Sequence, residues 1–324
     1  MNGHSGGRSM MQEQVDIRYL LRIYALGPHP ELEISHEAFE GIKSSKAILN
    51  AGLSMEEKYE VLVSNYLEFE KEMLIYSAEC MIRNNLNTDA FSKIKMDLNR
   101  RLVNIMTAAR SYIDQVSRDI RSIVPHEIKE NDFVKKALSD KYDELFEYRF
   151  MESLRNHVQH REFPVHYMEI NRFWDNGERA QGSGLAFDVE LASEKADLSQ
   201  NLKFKTSVLE EMPERVDLKK AVRVYIEAIS DVHSSLRHRV LNALTDSREN
   251  IDTYIGLYAR KRPNPIGLYA IREENGIYVE KVSLSTEWDD VRQKLTQINM
   301  RLVNLSRRYV TSKLTLKKEN KGKT

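Results

Sequence analysis

The chain predicts a mainly α-helical protein, an antiparallel helical bundle with inserted β-hairpins as a minor α+β part, on three observations. Five segments carry apolar residues at alternating steps of three and four, the mark of a helix with one buried face. Two stretches between them change to alternation of apolar and polar residues around turn-forming sequences, the mark of antiparallel strands. A length of 324 residues is enough to bury a substantial core in one large or two ordinary domains.

The elements follow in order. Residues 1–11 lack an apolar signal core and read as a flexible leader. Residues 15–26 form a weak helix or strand before Gly27-Pro28-His29-Pro30, and residues 35–49 look helical. The first bundle stripe is Met55, Tyr59, Leu62, Tyr66, Phe69, Met73, Tyr76, Cys80. The second is Leu98, Leu102, Ile105, Ala109, Tyr112, Val116, Ile120, Ile123, opened by a capping-type Asn87-Thr88-Asp89. A third, less regular, includes Leu138, Tyr142, Leu145, Phe146, Phe150, Leu154 and Val158. Residues 165–174 and 185–191 read as strands around a loop beginning Asp175-Asn176-Gly177, and residues 202–208 as a weaker strand. The fourth stripe is Leu218, Val222, Tyr225, Ile229, Val232, Leu236, Val240. Pro263, Pro265 and Gly267 then mark a break before a second hairpin, 267–272 and 277–284, whose Asn275-Gly276 suits a tight primed turn. The fifth stripe runs Trp288, Val291, Leu295, Ile298, Leu302, Leu305, Tyr309. Long helices with short connections favour antiparallel neighbours, and one small sheet would join the two β-rich insertions. The expected layout is an N-terminal extension at 1–50, a helical core at 51–163, a β-rich insertion at 164–212, a bundle helix at 213–262, a hairpin at 263–285, a C-terminal helix at 286–313 and a basic tail at 314–324.

Composition excludes several classes. The 49 basic and 49 acidic residues cancel, which argues against a protein that coats nucleic acid through a broad field, though not against one local basic site. Cys80 is the only cysteine, so neither an intramolecular disulfide nor a thiolate zinc cluster can form, and its place on an apolar stripe makes it a small buried hydrophobe. No apolar run approaches the ~20 residues that span a bilayer, so a cytoplasmic protein without a membrane partner is expected. The lysine-rich stretch 313–323 reads as a solvated end.

The stretch that carries chemistry is Leu154-Arg155-Asn156-His157-Val158-Gln159-His160. Arg155 can hold a phosphate with a forked, permanently charged guanidinium. His160 can move a proton near neutral pH. Arginine, four residues, histidine also occurs at Arg121 to His126 and Arg161 to His166, but Pro125 and Pro164 interrupt those copies. Residues five apart on a helix differ by about 140° of rotation, so Arg155 and His160 do not share a narrow face. Asn156 and His160, four apart, do, as do Arg155 and Gln159. Two such helices crossing at a two-fold axis would gather both pairs in one cleft, so a homodimer is expected. The plainer alternatives are an ion pair of Arg155 with Glu152 or Glu162, and helix C-terminal capping by His160. His157 and His160 have a spacing that suggests a metal pair, but no third ligand has convincing local spacing, so no metal is expected. His166, just after Pro164, is close enough to enter a site but is expected to be solvent-exposed. Arg110 and Asp114 are expected to pair within their helix, and His233 with Arg237, like His238 with Arg239, to sit on a solvated face. No phosphate loop, nucleophile elbow or cofactor box is present.

The order Arg, Asn, three residues, His late on a bundle helix resembles the HEPN superfamily. So do the wider segment FEYRFMESLRNHVQHREFPVH at 146–166 and NRRLVNIMTAARSYIDQV at 99–116, and the resemblance covers roughly residues 54–163. It implies a HEPN-like bundle at 51–163, a homodimer with a shared site, and metal-independent endoribonuclease activity in which the RNA 2′-hydroxyl attacks its own phosphate. In that role His160 moves the proton, Arg155 stabilises the transition-state charge, and Asn156 orients His160 or holds the backbone. His157, Gln159, Asn104, Arg110, Tyr112 and Asp114 would form the surroundings of the cleft. A toxin or antiphage defence effector, with RNA as target and an inhibitor or antitoxin as partner, is the biological role implied. Some family toxins carry a modifiable tyrosine two residues after the histidine; this chain has Glu162 there, which puts that regulation in doubt. The alternative is a non-catalytic HEPN-like module that binds RNA or nucleotides or acts as a scaffold.

Overall fold

A computed structural model describes residues 16–83, 87–126, 132–174, 184–201 and 203–310. The leader, the loop from Asp175, Leu202 and the basic tail lie outside the described residues. The chain is mainly helical with two small antiparallel sheets, and it divides into two compact units. Of the described residues, one unit draws on those within 16–54, 122–124 and 240–294, the other on those within 55–121, 125–239 and 295–310.

In the first unit, β1 (Ile17–Ile23) settles the helix-or-strand ambiguity as a strand. It pairs antiparallel along its whole length with β6 (Leu268–Glu274), from Ile17 opposite Glu274 to Ile23 opposite Leu268. The two-residue β2 (Leu32–Glu33) and β7 (Ile277–Ser283) complete the order β2-β1-β6-β7. The β6–β7 turn is of the primed kind: Asn275 and Gly276 have φ of 50° and 78°, left-handed values that asparagine and glycine tolerate. The first turns of α1 (His36–Arg83) and the last of α7 (Leu218–Ala259) bring Phe39, Ile42, Ile251 and Tyr258 into this unit's core. Helix α1 is a single helix of 48 residues where the sequence suggested two, because nothing in Asn50-Ala51-Gly52-Leu53-Ser54 stops it. Gly52 permits a close approach there: a Cβ on it would lie 2.5 Å from Leu244 Cδ2.

The second unit packs the later turns of α1, α2 (Thr88–Ile123), α3 (Phe133–Glu144), α4 (Phe146–His160) and the first half of α7. The first, second and fourth stripes read from the sequence are buried, with Tyr59, Leu62, Phe69, Leu98, Leu102, Tyr112, Val222, Tyr225 and Ile229 in this core, as is Cys80. The third is buried only in part, and Trp288, Ile298 and Tyr309 of the fifth are exposed, against expectation. Asn87 caps α2 as expected, its Oδ1 accepting from the Ala90 N–H at 2.8 Å. The second sheet, β3 (Tyr167–Trp174), β4 (Leu185–Glu194) and β5 (Arg215–Asp217), has the order β3-β4-β5 and is separate from the first, so the two hairpins do not share one sheet.

Four further expectations need correction. The third helix is two: Leu145 is extended, with φ −113° and ψ 118°, and the Arg149 guanidinium donates to the Tyr142 and Asp143 carbonyls, each at 2.8 Å, satisfying the end of α3. Of the weak strand expected at 202–208, the described residues 203–205 are turn and 206–208 open the short α6 (Thr206–Glu211), which follows α5 (Lys195–Ser199); the third strand is β5. The last helix, α8 (Glu287–Ile298), stops short of the stripe that continued to Tyr309. Side chains of α7 capture the backbone there: Ser230 Oγ accepts from the Leu302 N–H, and the Glu227 carboxylate accepts from those of Asn304 and Leu305. Asn304 turns the chain at φ 56°. Finally, His233 and Arg237 are not on a solvated face. His233 is buried, Arg237 pairs with the buried Glu56, and only His238 and Arg239 are exposed.

Candidate functional site

Helix α4 ends where its sequence says it must. His160 is its last residue, Arg161 closes it by donating its N–H to the His157 carbonyl, and Pro164 cannot extend it. The chain that follows is pinned from two sides. Asn99 Oδ1 accepts from the Val165 N–H at 3.0 Å, and the Ser193 hydroxyl donates to the Pro164 carbonyl at 2.6 Å. The last two turns of α4, which hold the Arg155-to-His160 segment, are thereby anchored to α2 and to β4.

Within these turns the side chains divide. Asn156, Gln159 and His160 are exposed, Arg155 is half-buried, and His157 is buried. Arg155 Nη1 donates to Asn156 Oδ1 at 2.8 Å, and its Nε is buried without a partner. Neither carboxylate suggested as an ion-pair partner takes it. Glu152 pairs with Arg110 at 3.4 Å and accepts from the Tyr225 hydroxyl at 2.5 Å, while Glu162 is exposed. Arg155 therefore has no carboxylate ion pair among the described residues. The expected surroundings assemble only in part. Arg110 reaches α4 through Glu152 and also pairs with Asp114 at 2.6 Å, within α2. Tyr112 faces the bundle core and bonds His233 at 2.8 Å, and Asn104 is exposed.

His157 and His166 form a second cluster, which spacing did not reveal. His166 is not exposed as expected: its side chain is 7 % accessible. One ring nitrogen of each histidine and a Glu162 carboxylate oxygen lie within 4.8 Å of one another, a set that could be read as metal ligands. The hydrogen bonds decide against that use. His166 Nδ1 accepts from the Glu194 backbone N–H at 3.0 Å. The Asn201 amide nitrogen contacts His157 Nδ1 at 2.9 Å, and its orientation is fixed because Asn201 Oδ1 accepts from the Lys203 N–H. Both neutral rings must then carry their proton on Nε2, whereas a metal at Nε2 needs the proton on Nδ1. The rings are built to donate rather than to ligate. The signal for this pair was Pro164, which turns the chain and returns His166 towards α4.

Burial pushes His157 below the ordinary histidine value, with the neighbouring His166 adding to the effect. Burial likewise lowers His166 against the opposing Asp197, and lowers His233 against Glu56. A histidine depressed in the folded state takes its proton first in the unfolded chain. Its contribution is complete above pH 6.5 and is lost as pH falls through and below that value. Urea unfolding at pH 7.5 and 5.5 is expected to show a lower midpoint at 5.5 with an unchanged slope; equal midpoints would contradict the burial of neutral histidines.

No protein-family model, curated protein or solved structure matches this chain. Among the described residues, no helix is long and apolar enough to cross a membrane.

Proposed function

We propose that the chain is a metal-independent endoribonuclease of HEPN type, with a HEPN-like bundle around α4 and a site made of Arg155, Asn156 and His160. The observation that carries this is the guanidinium of Arg155: half-buried, without a carboxylate, and on the same two helical turns as an exposed imidazole. A structural arginine at that depth ordinarily has an anionic partner, and an RNA phosphate supplies one. In the reaction the 2′-oxygen bonds to phosphorus and the bond from phosphorus to the 5′-oxygen breaks. The 2′-hydroxyl proton passes to a base, and the leaving oxygen receives one. His160 serves the proton steps and Arg155 the charge on the phosphoryl oxygens. A two-fold dimer brings two copies of each side chain to the cleft. An exposed apolar stripe on α1 (Leu67, Leu74, Ile75, Met81, Ile82) supports association with a second copy.

On this reading the protein is a cytoplasmic toxin or antiphage effector, restrained by an inhibitor protein until a trigger appears. The non-catalytic RNA-binding module is favoured by one contact, the Arg155–Asn156 hydrogen bond, which occupies both residues with each other. Substrate chemistry separates the two readings. Cleavage is expected to persist in excess chelator and to stop when the nucleotide at the cut carries 2′-deoxyribose, which removes the nucleophile. RNA bound but left intact would favour the module.

A further inference from the structure

The two imidazoles beneath the end of α4 have donors and no acceptor. His157 is 3 % exposed and the His166 side chain 7 %, and the Nε2 of each is buried without a partner. With both Nδ1 atoms engaged by N–H groups, each Nε2–H must find an oxygen. The two rings are close neighbours, with centroids 6.1 Å apart and one nitrogen of each within 4.8 Å of a Glu162 carboxylate oxygen. The Glu162 carboxylate stands beside the pair as an acceptor. A cleft of about 570 Å³, large enough for a nucleotide, is lined by His166, Glu162 and Phe163, the last 64 % exposed; His157 packs against His166 but is not part of that lining. Lys95 and Arg161 on its wall are balanced by Glu162 and Asp197, so the cleft does not favour a bare phosphate.

We propose that this cleft binds the lactam edge of a nucleobase, guanine or uracil, and sets the base preference of cleavage; as a cleavage subsite it rests on the ribonuclease reading above. The base carbonyl oxygen accepts from the Nε2–H of His166, the imidazole that lines the cleft. The adjoining ring N–H donates to Glu162, and the base stacks on Phe163. The Nε2 of His166 is covered, so the lining around it gives way as the base enters, while the exposed Glu162 carboxylate turns to meet the base N–H. Adenine and cytosine present the reverse polarity. Their amino group would face the His166 donor, and a ring-nitrogen lone pair would face the carboxylate. A buried site built for one hydrogen-bond polarity rejects the other strongly.

The test uses the full chain and uncleavable 5′-mononucleotides. GMP and UMP are expected to bind at least tenfold more tightly than AMP and CMP in equilibrium titration. Glu162→Ala, at an exposed position, is expected to erase most of that difference, and His166→Phe to weaken keto-base binding about tenfold. Should His166→Phe fail to fold, Glu162→Ala still reads the site. Equal binding of all four nucleotides, no binding at millimolar concentration, or an undiminished preference in Glu162→Ala overturns the proposal. The ribonuclease reading is scored separately by mapping cuts in a mixed-sequence RNA. Keto-selective binding with no cuts keeps the nucleobase pocket and removes the enzyme; cuts beside all four bases alike keep the enzyme and remove the pocket.

Discussion

His160→Ala is expected to slow RNA cleavage by about 10²–10⁴-fold, the usual contribution of a positioned proton-transfer group. Its thermal midpoint should stay within a degree or two of the wild type, because His160 is exposed at the end of α4. Arg155→Lys should lose about 10²–10³-fold, since the ammonium keeps the charge but not the planar two-point grip on the phosphoryl oxygens. The same change is expected to be mild for stability, because no ion pair of Arg155 is lost among the described residues. Single-turnover rates on a short RNA, read beside melting curves, separate lost chemistry from lost fold. A variant that cuts at the wild-type rate at either position would remove that residue from the mechanism.

Glu56→Gln is expected to destabilise the protein by about 3–5 kcal/mol, the scale for breaking a buried ion pair from one side. Glu56 is 2 % exposed, and its carboxylate accepts from Arg237 Nε at 2.8 Å and from His233 Nε2 at 3.3 Å. The Tyr112 hydroxyl bonds His233 Nδ1 at 2.8 Å, and Tyr59 stacks on the same ring with centroids 3.8 Å apart. Burial pushes the Glu56 carboxyl up, and hydrogen bonds from Arg237 and His233 more than reverse it, holding it at about 2. The sign follows: the contribution is present above the unfolded carboxyl value of 4.5 and lost as pH falls towards 2. Removing the charge leaves Arg237 without its buried partner, and denaturant unfolding at pH 7 measures the loss. A change below about 1 kcal/mol would show that solvent reaches this network.

The sequence showed the helical scaffold more clearly than the polar interior. Apolar spacing placed the stripes of α1, α2 and α7 because burial of one helix face repeats every turn. Asn275-Gly276 placed the second hairpin because few residues accept two successive positive φ values. Spacing failed where side chains, rather than periodicity, decide. Arg149 ends α3 by reaching back to its carbonyls, and Glu227 and Ser230 hold residues 302–305 off the helical path; both are contacts to residues remote or hidden from a local window. The same limit applied to histidines. His160 falls at the exposed end of α4, but His166 and His233 looked solvated because their partners, the Glu194 N–H and Glu56, lie far away in sequence. Arg155 was legible as a candidate phosphate ligand; that its neighbouring carboxylate Glu152 is claimed by Arg110 and Tyr225 was not.

End-group analysis of RNA fragments tests the central claim most directly. Purified protein is incubated with RNA in excess chelator beside the His160→Ala variant, and the new termini are identified. The ribonuclease account predicts 2′,3′-cyclic phosphate and 5′-hydroxyl ends from the wild type and no fragments from the variant. Fragments ending in 3′-hydroxyl and 5′-phosphate, fragments that need added magnesium, or equal yields from the two proteins would contradict it.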